Sequence, residues 1–197
     1  IFAKGNVDLL KEKSVAIIGS RNPTLNNISF ATKLTKYLNQ NNINIVSGFA
    51  RGIDTIAHKY AVNKTVAILG SGLNKIYPPE NKDLFFKLTE KSLIISEFLS
   101  FIPPLRYNFP RRNRLISALA DKVIIIEAKN NSGSLITARF ALEFGKDIYA
   151  VPAHPFDQNS YGTNNLIKQG ANILTDFSDL DLEFTYQEKE IKQENKD

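Results

Sequence analysis

The segment from Pro103 to Arg114 alternates cationic and aromatic side chains. Its cations and aromatics are Arg106, Tyr107, Phe109, Arg111, Arg112 and Arg114. Guanidinium groups form paired hydrogen bonds with phosphate oxygens, and aromatic faces stack on unpaired bases. The mixture therefore favours single-stranded nucleic acid over duplex, whose bases are not free to stack. The alternative is that Phe109 belongs to the core and the arginines cap a helix or pair with acids.

Two further candidate sites, "GSRNPT" and "SGFARGID", follow apolar runs that are typical of strands. Arg21 and Arg51 each lie in one of these loops, and both could form paired hydrogen bonds with a phosphate. A loop between a strand and a helix offers free backbone N–H groups and the positive end of the helix dipole to an anion. The alternative is plain turn chemistry, with Ser47 and Asp54 as helix caps. His58 is better explained as a hydrogen-bonded structural residue than as a catalytic base.

The sequence lacks the patterns of several enzyme classes. With no Cys and two His, it excludes a cysteine nucleophile and disfavours a histidine metal site. No P-loop or G-x-S-x-G pattern occurs, and "GSGLNK" has Lys75 where a dinucleotide fingerprint needs its third glycine. A carboxylate pair of Glu97 and Glu127, each at the end of a predicted strand, is the remaining catalytic hypothesis. We expect a protein that is not an enzyme and that uses no cofactor and no metal.

Positive charge is concentrated in the first 175 residues. The chain has 25 basic and 20 acidic residues, of which three and eight respectively lie from Asp176 to Asp197. Residues 1–175 therefore carry 22 bases and 12 acids, a net charge of +10 against +5 for the whole chain. Such a body either has a solvated basic surface or binds a polyanion. Charge alone leaves both interpretations open.

Short apolar runs alternate with helix-length segments along the chain. The predicted strands are "SVAIIGS", "INIVSG", "TVAILGSG", "SLIISEF", "DKVIIIEA", "DIYAVPA" and a short "ANILTD". Because these runs are rich in β-branched residues and almost continuously apolar, we expect both faces of the sheet to be covered. The pattern predicts an α/β fold, doubly wound around a mostly parallel sheet. The loops with glycine and arginine would then meet at the carboxyl edge of the sheet.

The chain divides into three predicted segments. Residues 1–13 are predicted as a lead-in segment, 14–176 as the α/β domain, and 177–197 as a charged tail or linker. Since the chain does not begin with Met, we expect it to be a fragment of a longer protein. It has no signal-peptide pattern and no apolar run of membrane-spanning length. Together with the lack of Cys, this favours a cytoplasmic protein with no membrane contact.

Several motifs in this order resemble the DprA/Smf family of DNA-processing proteins. They are "AIIGSRNPT", "IVSGFARGIDTIAHKYAV", "TVAILGSGLNKIYPPENKDLF", "IISEF", "FPRRNRLISALADKVIIIEA", "SGSLITARFALEFGKDIYAVPA" and "GTNNLIKQGANIL". The resemblance covers about residues 4–176. It implies an extended Rossmann-like domain that binds single-stranded DNA without sequence preference. It also implies that the protein protects incoming strands during natural transformation, loads the RecA recombinase onto them and acts as a homodimer.

The family's DNA site maps onto both strand-end loops and the segment before "FPRRNR". The resemblance thus implies DNA contacts by Gly19, Ser20, Arg21, Ser47, Gly48, Arg51, Arg106 and Phe109. Arg106 would bind backbone phosphate, and Phe109 would stack on bases or wedge between them. Lys82 and Arg112 are further candidate phosphate contacts. One departure is Ala153, where the family usually has Gly after "VP".

Three alternatives to a DNA-binding protein stay open at this point. The first is a nucleotide N-glycosidase of a related Rossmann-like family, although the chain has "YGTNN" in place of that family's "PGG.GT..E" loop. The second is a sensor that binds a small nucleotide between the loops at the carboxyl edge of the sheet. The third is a purely structural interaction protein, which would not need arginines in the strand-end loops.

Overall fold

The computed structural model describes residues 1–182 of the chain, and within these residues a single sheet of eight strands forms the centre of the molecule. In chain order the strands are β1 (Phe2–Gly5), β2 (Ser14–Gly19), β3 (Asn44–Ser47), β4 (Thr65–Ile68), β5 (Leu93–Ser96), β6 (Lys122–Ile126), β7 (Asp147–Ala150) and β8 (Asn172–Ile173). Every strand that the apolar runs predict is present.

The strand order across the sheet is β1-β5-β4-β3-β2-β6-β7-β8. All neighbouring strands are parallel except β1 and β5, which are antiparallel. The chain builds the sheet outward from β2 in one direction and from β6 in the other, so a topological switch point lies between these two strands. In doubly wound sheets, ligands bind outside the carboxyl ends of the strands at such a point. The predicted fold class is confirmed.

Six α-helices flank the sheet within residues 1–182. They are α1 (Leu25–Gln40), α2 (Ile53–Tyr60), α3 (Lys82–Lys91), α4 (Asn108–Leu119), α5 (Gly133–Glu143) and α6 (Tyr161–Lys168). The first three pack on one face of the sheet and the last three on the other, which gives three layers. None of these helices combines the length and the apolar character needed to cross a bilayer.

Alternate residues of each central strand supply the two halves of the core. On β2, Val15 and Ile17 face α1 and α2, whereas Ala16 and Ile18 face α4 and α5. All four are at most 5% exposed. Burying an Ile side chain stabilises the fold by about 1.5–3 kcal/mol relative to leaving it exposed. Cover on both faces is the reason that these strands read as continuous apolar runs.

Residues 1–13 are more than the lead-in segment that their sequence predicts. β1 pairs with β5 in the register Phe2↔Ser96 to Gly5↔Leu93 and forms one edge of the sheet. The 3₁₀ helix that follows places Leu9, which is 4% exposed, in the core. Sequence patterns do not reveal β1 because all four of its residues are exposed. Because its side chains are exposed, an edge strand such as β1 can form without a run of apolar residues.

The predicted C-terminal tail begins with residues that pack on the domain. Phe177 lies against α1, with its ring centre 5.1 Å from that of Tyr37. Leu180 is 5% exposed and belongs to the core on the same face. Residues 183–197, which make up the rest of the predicted tail, lie outside the described residues. The domain boundaries therefore stay predictions.

Helix α4 begins seven residues earlier than the apolar segment "LISALA" predicts. It starts at Asn108 rather than Leu115, so Phe109 and the arginines after it lie on a helix and not on a loop. Pro110 is compatible with this start because N–H groups in the first turn have no acceptor within the helix. The early start decides which arginines face the solvent.

Candidate functional site

A cleft of about 760 Å³ opens at the carboxyl ends of β2 and β6, at the switch point of the sheet. Its walls are the loops after these two strands, the first turns of α4 and the segments around Tyr77 and Arg106. Six of the ten predicted binding residues line it: Gly19, Ser20, Arg21, Arg106, Phe109 and Arg112. The predicted residues outside its lining are Ser47, Gly48, Arg51 and Lys82.

Four side chains form a continuous row beside the cleft, which we call the cation–aromatic ladder: Arg21, Phe109, Tyr77 and Arg51. The Arg21 Cζ lies 5.6 Å from the ring centre of Phe109. The ring centres of Phe109 and Tyr77 are 5.8 Å apart, and the Arg51 Cζ lies 5.6 Å from the Tyr77 ring centre. These distances fit cation–π and aromatic contacts. The ladder thus presents two aromatic rings between two guanidinium groups.

Phe109 is held in place from below by backbone. A Cβ built on Gly70 would lie 2.7 Å from the Phe109 Cδ1, so only glycine leaves room for the ring there. Phe109 is half-buried and lines the cleft. The ring is therefore fixed on one side and accessible on the other, which is intermediate between the two interpretations that the sequence allowed.

Arg51 is engaged by a carboxylate at the outer end of the ladder. Its Nε and Nη2 both donate to Glu80, the latter at 3.1 Å from Oε2, and its Nη1 lies 3.4 Å from the Tyr77 hydroxyl. Hydrogen bonding to Arg51 lowers the pKa of Glu80, and the same pair raises the pKa of Arg51. Both side chains are about half exposed, at 43% and 49%. Arg51 is thus paired with Glu80.

Arg112 differs from the expected phosphate contact because it is 4% exposed. Its guanidinium donates to the backbone carbonyls of Gly48 and Ile68 and to the side chain of Asn113. Burial lowers its pKa to about 10, and the charge of Asp54 opposes that shift. Arg112 therefore holds the loop after β3 against the end of β4. Its burial contradicts the predicted phosphate contact.

Asp54 belongs to the same buried cluster and is not the helix cap that the sequence suggested. The N-cap of α2 is Gly52, and Asp54 is the second residue of the helix. The Asp54 carboxylate accepts a hydrogen bond from the Ala50 backbone N–H at 3.3 Å. Burial raises its pKa, against the opposing charge of Arg112. Asp54 and Arg112 together fix the floor of the cleft.

Ser47, Gly48 and Gly19 are each in close contact with neighbouring protein groups. The Ser47 hydroxyl donates to the Ile17 carbonyl at 2.7 Å and ties β3 to β2. A Cβ on Gly48 would lie 2.6 Å from Asp54 Oδ2, and one on Gly19 would lie 1.9 Å from the Ile126 carbonyl oxygen. These glycines admit neighbouring protein groups. A glycine directly after a strand occurs both in tightly packed turns and in ligand-binding loops, so the sequence pattern alone does not separate the two.

The solvent side of the cleft is cationic. Arg21, Arg106 and Lys129 line it and are exposed, whereas the acidic residue in its lining, Asp54, is buried. Lys82 is exposed at the start of α3, next to the Arg51–Glu80 pair in sequence. Lys129 and Tyr77 were not selected from the sequence. Both lie on irregular loops, where neither helical nor strand periodicity marks a residue.

The start of α5 completes the wall opposite Arg21. Ser132, Gly133 and Ser134 line the cleft there, and the Ser132 side chain accepts from the Ser134 backbone N–H at 3.3 Å. The sequence indicated this loop through "NNSGSLITA", but it did not single out its residues. The helix dipole adds positive potential to the arginines and Lys129.

The remaining catalytic candidates, His58, Glu97 and Glu127, each form a hydrogen bond or an ion pair with another side chain of the protein. His58 is fully buried with Nδ1 2.8 Å from the Thr65 hydroxyl, and burial lowers its pKa to about 3. Glu97 pairs with Arg114. The Glu127 carboxylate accepts from Thr24 and Asn27 at 2.7–2.8 Å. Each carboxylate thus has its own separate partners. Residues 1–182 contain no cluster of three or more metal-ligating side chains.

The comparison with protein families identifies the family of this chain. The model of the family described as DNA recombination-mediator protein A matches residues 1–185. The chain belongs to this family. It is 42% identical over 189 residues to the DNA processing protein DprA of Streptococcus pneumoniae, and 38% identical over 184 residues to that of Bacillus subtilis. The resemblance to DprA/Smf proteins is confirmed.

Solved structures of family members have the same fold. That of the Streptococcus pneumoniae protein superposes with a TM-score of 0.88 at 42% identity, over 94% of this chain and 66% of that one. That of DNA processing protein A from Helicobacter pylori gives 0.85 at 35% identity, over 89% and 82%. The Helicobacter pylori structure is described as showing a single-stranded DNA binding mode. The Rossmann-like architecture is confirmed.

This family member spans only a portion of its relatives. The match covers 94% of this chain but 67% of the Streptococcus pneumoniae protein, and 91% of this chain but 62% of the Bacillus subtilis protein. The alignment thus concerns the region of these relatives that corresponds to the domain described above. What the whole relatives do passes to this chain only as a proposal.

Proposed function

We propose that this domain binds single-stranded DNA, without sequence preference, in the cleft at the switch point. The observation that carries the proposal is the cation–aromatic ladder, which sets Phe109 and Tyr77 between two guanidinium groups. Aromatic faces stack on any base, and cations follow the phosphate backbone, so neither contact reads base edges. The relationship to the Helicobacter pylori protein, whose structure is described as giving insight into its single-stranded DNA binding mode, supports the same ligand.

In this proposal different cations contact different phosphates along the DNA strand. Arg21 and Arg106 bind phosphates at the cleft, with Lys129 and the first turn of α5 adding positive potential. Phe109 stacks on a base, and Tyr77 extends the aromatic surface. Arg51 and Lys82 lie toward the far end of the ladder. Ser20, which precedes Arg21 in the loop after β2, also contacts the strand.

We extend the proposal to the biological role on the basis of the family. The protein protects single-stranded DNA that enters the cell during natural transformation, and it loads the RecA recombinase onto that DNA for homologous recombination. It acts as a homodimer in the cytoplasm and catalyses no reaction. The basic charge of residues 1–175 supports a polyanion as the partner.

The test is binding of a fluorescent oligo-dT, the matching duplex and a mononucleotide, by anisotropy across a salt series. The proposal predicts a preference for the single strand, an affinity that rises with strand length, and a linear fall of log K with log salt. Binding of the mononucleotide alone would contradict it and favour a nucleotide sensor. Equal binding of strand and duplex would remove the stacking role from the ladder.

A further inference from the structure

Glu80 pairs with Arg51, one of the predicted cations of the DNA site. It forms a two-point contact with Arg51, and the two side chains are 49% and 43% exposed. A carboxylate and a phosphate present similar oxygen pairs to the planar guanidinium. Glu80 therefore occupies the same hydrogen-bonding edge of Arg51 that a nucleic-acid phosphate would use.

The Arg51–Glu80 pair is connected to the cleft by a chain of side-chain contacts. Arg51 lies over the Tyr77 ring at 5.6 Å, and the Tyr77 ring contacts that of Phe109 at 5.8 Å. A strand with a base on Phe109 and a phosphate on Arg21 would pass this outer end of the ladder. Its next phosphates would meet Arg51 and, beside it, the charge of Glu80.

We propose that Glu80 is a competing anion that limits the affinity of the site, and that a backbone phosphate of the bound strand replaces it on Arg51. This inference rests on the proposed function. Only a ligand with a phosphate at the outer end of the ladder can then displace Glu80 from Arg51. A single strand of several nucleotides satisfies that condition, whereas a mononucleotide in the cleft does not reach it.

The exposure of the pair makes the exchange feasible. Ion pairs between exposed side chains contribute little to stability, since water and salt screen them. Arg112 would not exchange partners in this way, because it is 4% exposed and its guanidinium donates to the backbone carbonyls of Gly48 and Ile68. Of these two arginines, only Arg51 lies on the ladder and is open to solvent.

The experiment compares Glu80→Gln with Glu90→Gln, a change on α3. Both changes remove one negative charge, so the control accounts for the overall increase in positive charge. Gln also keeps an oxygen that can accept from Arg51, which preserves the packing of Tyr77. We expect Glu80→Gln to bind oligo-dT about two- to fivefold more tightly than Glu90→Gln at low salt. The gain should shrink as salt rises.

A second variant shows whether the gain passes through Arg51. In an Arg51→Ala background, Glu80→Gln should bind oligo-dT no more tightly than Glu90→Gln in the same background. Equal affinities of Glu80→Gln and Glu90→Gln with Arg51 intact would overturn the proposal. Weaker binding by Glu80→Gln would overturn it too, and would make the pair a clamp for Tyr77. A wild-type protein that binds no strand would instead contradict the proposed function.

Discussion

Phe109 carries the base contact in this account, because it is the ring fixed over Gly70 and open to the cleft. We expect Phe109→Ala to weaken oligo-dT binding by about 1–3 kcal/mol, the value of one stacked base. The measurement is anisotropy with the same oligo-dT. Phe144→Ala is the matched control, since Phe144 is exposed at the end of α5 and outside the cleft. Equal affinity of the two variants would remove Phe109 from the site.

Arg21 and Arg106 are expected to act through phosphate. Either one changed to Ala should weaken binding and reduce the slope of log K against log salt by about 1. Arg139→Ala removes the same charge from the exposed side of α5, outside the cleft lining, and should leave the slope closer to that of the wild type. A salt series on the three variants decides this. An identical slope for all three would mean that overall charge, not the cleft, attracts the strand.

Individual residues show where sequence reasoning succeeds and where it stops. Arg21, Phe109 and Arg106 could be selected because loops after strands and alternating Arg and aromatic residues have a direct chemical meaning. Arg112 could not be told from Arg111, since neighbours on a helix point about 100° apart and the sequence did not place the start of α4. Arg111 is exposed and Arg112 is buried.

At the scale of elements, Arg112 joins α4 to the loop after β3 and the end of β4. We expect Arg112→Ala to lower the free energy of unfolding by about 3–5 kcal/mol, because it leaves the carbonyls of Gly48 and Ile68 without this donor and removes a positive charge that acts on the buried Asp54. Urea unfolding is the measurement. Arg111→Ala is the control: it lies next in sequence, is exposed and packs over Phe98, and should change stability by about 0.5 kcal/mol or less. Similar losses in both variants would contradict the assigned role.

His58 joins α2 to β4 and makes stability depend on pH. Its folded pKa of about 3 lies below the unfolded value of 6.5, so the unfolded chain binds a proton first as the pH falls. Its contribution to stability is complete above pH 6.5 and is lost between 6.5 and 3. Below about pH 6 we expect the free energy of unfolding to fall by about 1.4 kcal/mol per pH unit from this side chain.

Urea unfolding between about pH 7 and 5 tests this, since carboxylates of ordinary pKa titrate below that range and the buried Asp54 is unchanged in each variant compared. His58→Gln should flatten the dependence, and His154→Gln, at an exposed position, should keep it. A wild-type protein of constant stability over this range would contradict the buried, neutral His58.

The strands with the longest apolar runs are those that helices cover on both faces. β2 to β7 appear as apolar runs because helices cover them on either side. β1 has no such signal, since its hydrogen bonds to β5 come from backbone groups and its side chains are exposed. The start of α4 is hidden for a different reason: its first two turns are polar and contain Pro110.

For the whole molecule, the doubly wound topology explains how distant segments become one site. The loop after β2 and the loop after β6 are about a hundred residues apart in sequence, yet their strands are neighbours at the switch point. Strand order cannot be read from apolar runs, so the sequence could name the loops but not the crevice they form. The ladder in turn needs Tyr77, which no periodic pattern marks.

The most direct test of the account is photo-crosslinking of the domain to an oligo-dT that carries a single 5-iodouracil, with the crosslinked residue identified by mass spectrometry. Stacked aromatic residues are the favoured partners of this base. We predict crosslinks to Phe109 or Tyr77, and their loss when unlabelled single strand competes but not when duplex does. Crosslinks confined to aromatic residues outside the cleft, such as Phe144 or Phe156, would contradict the assignment of the cleft as the DNA site.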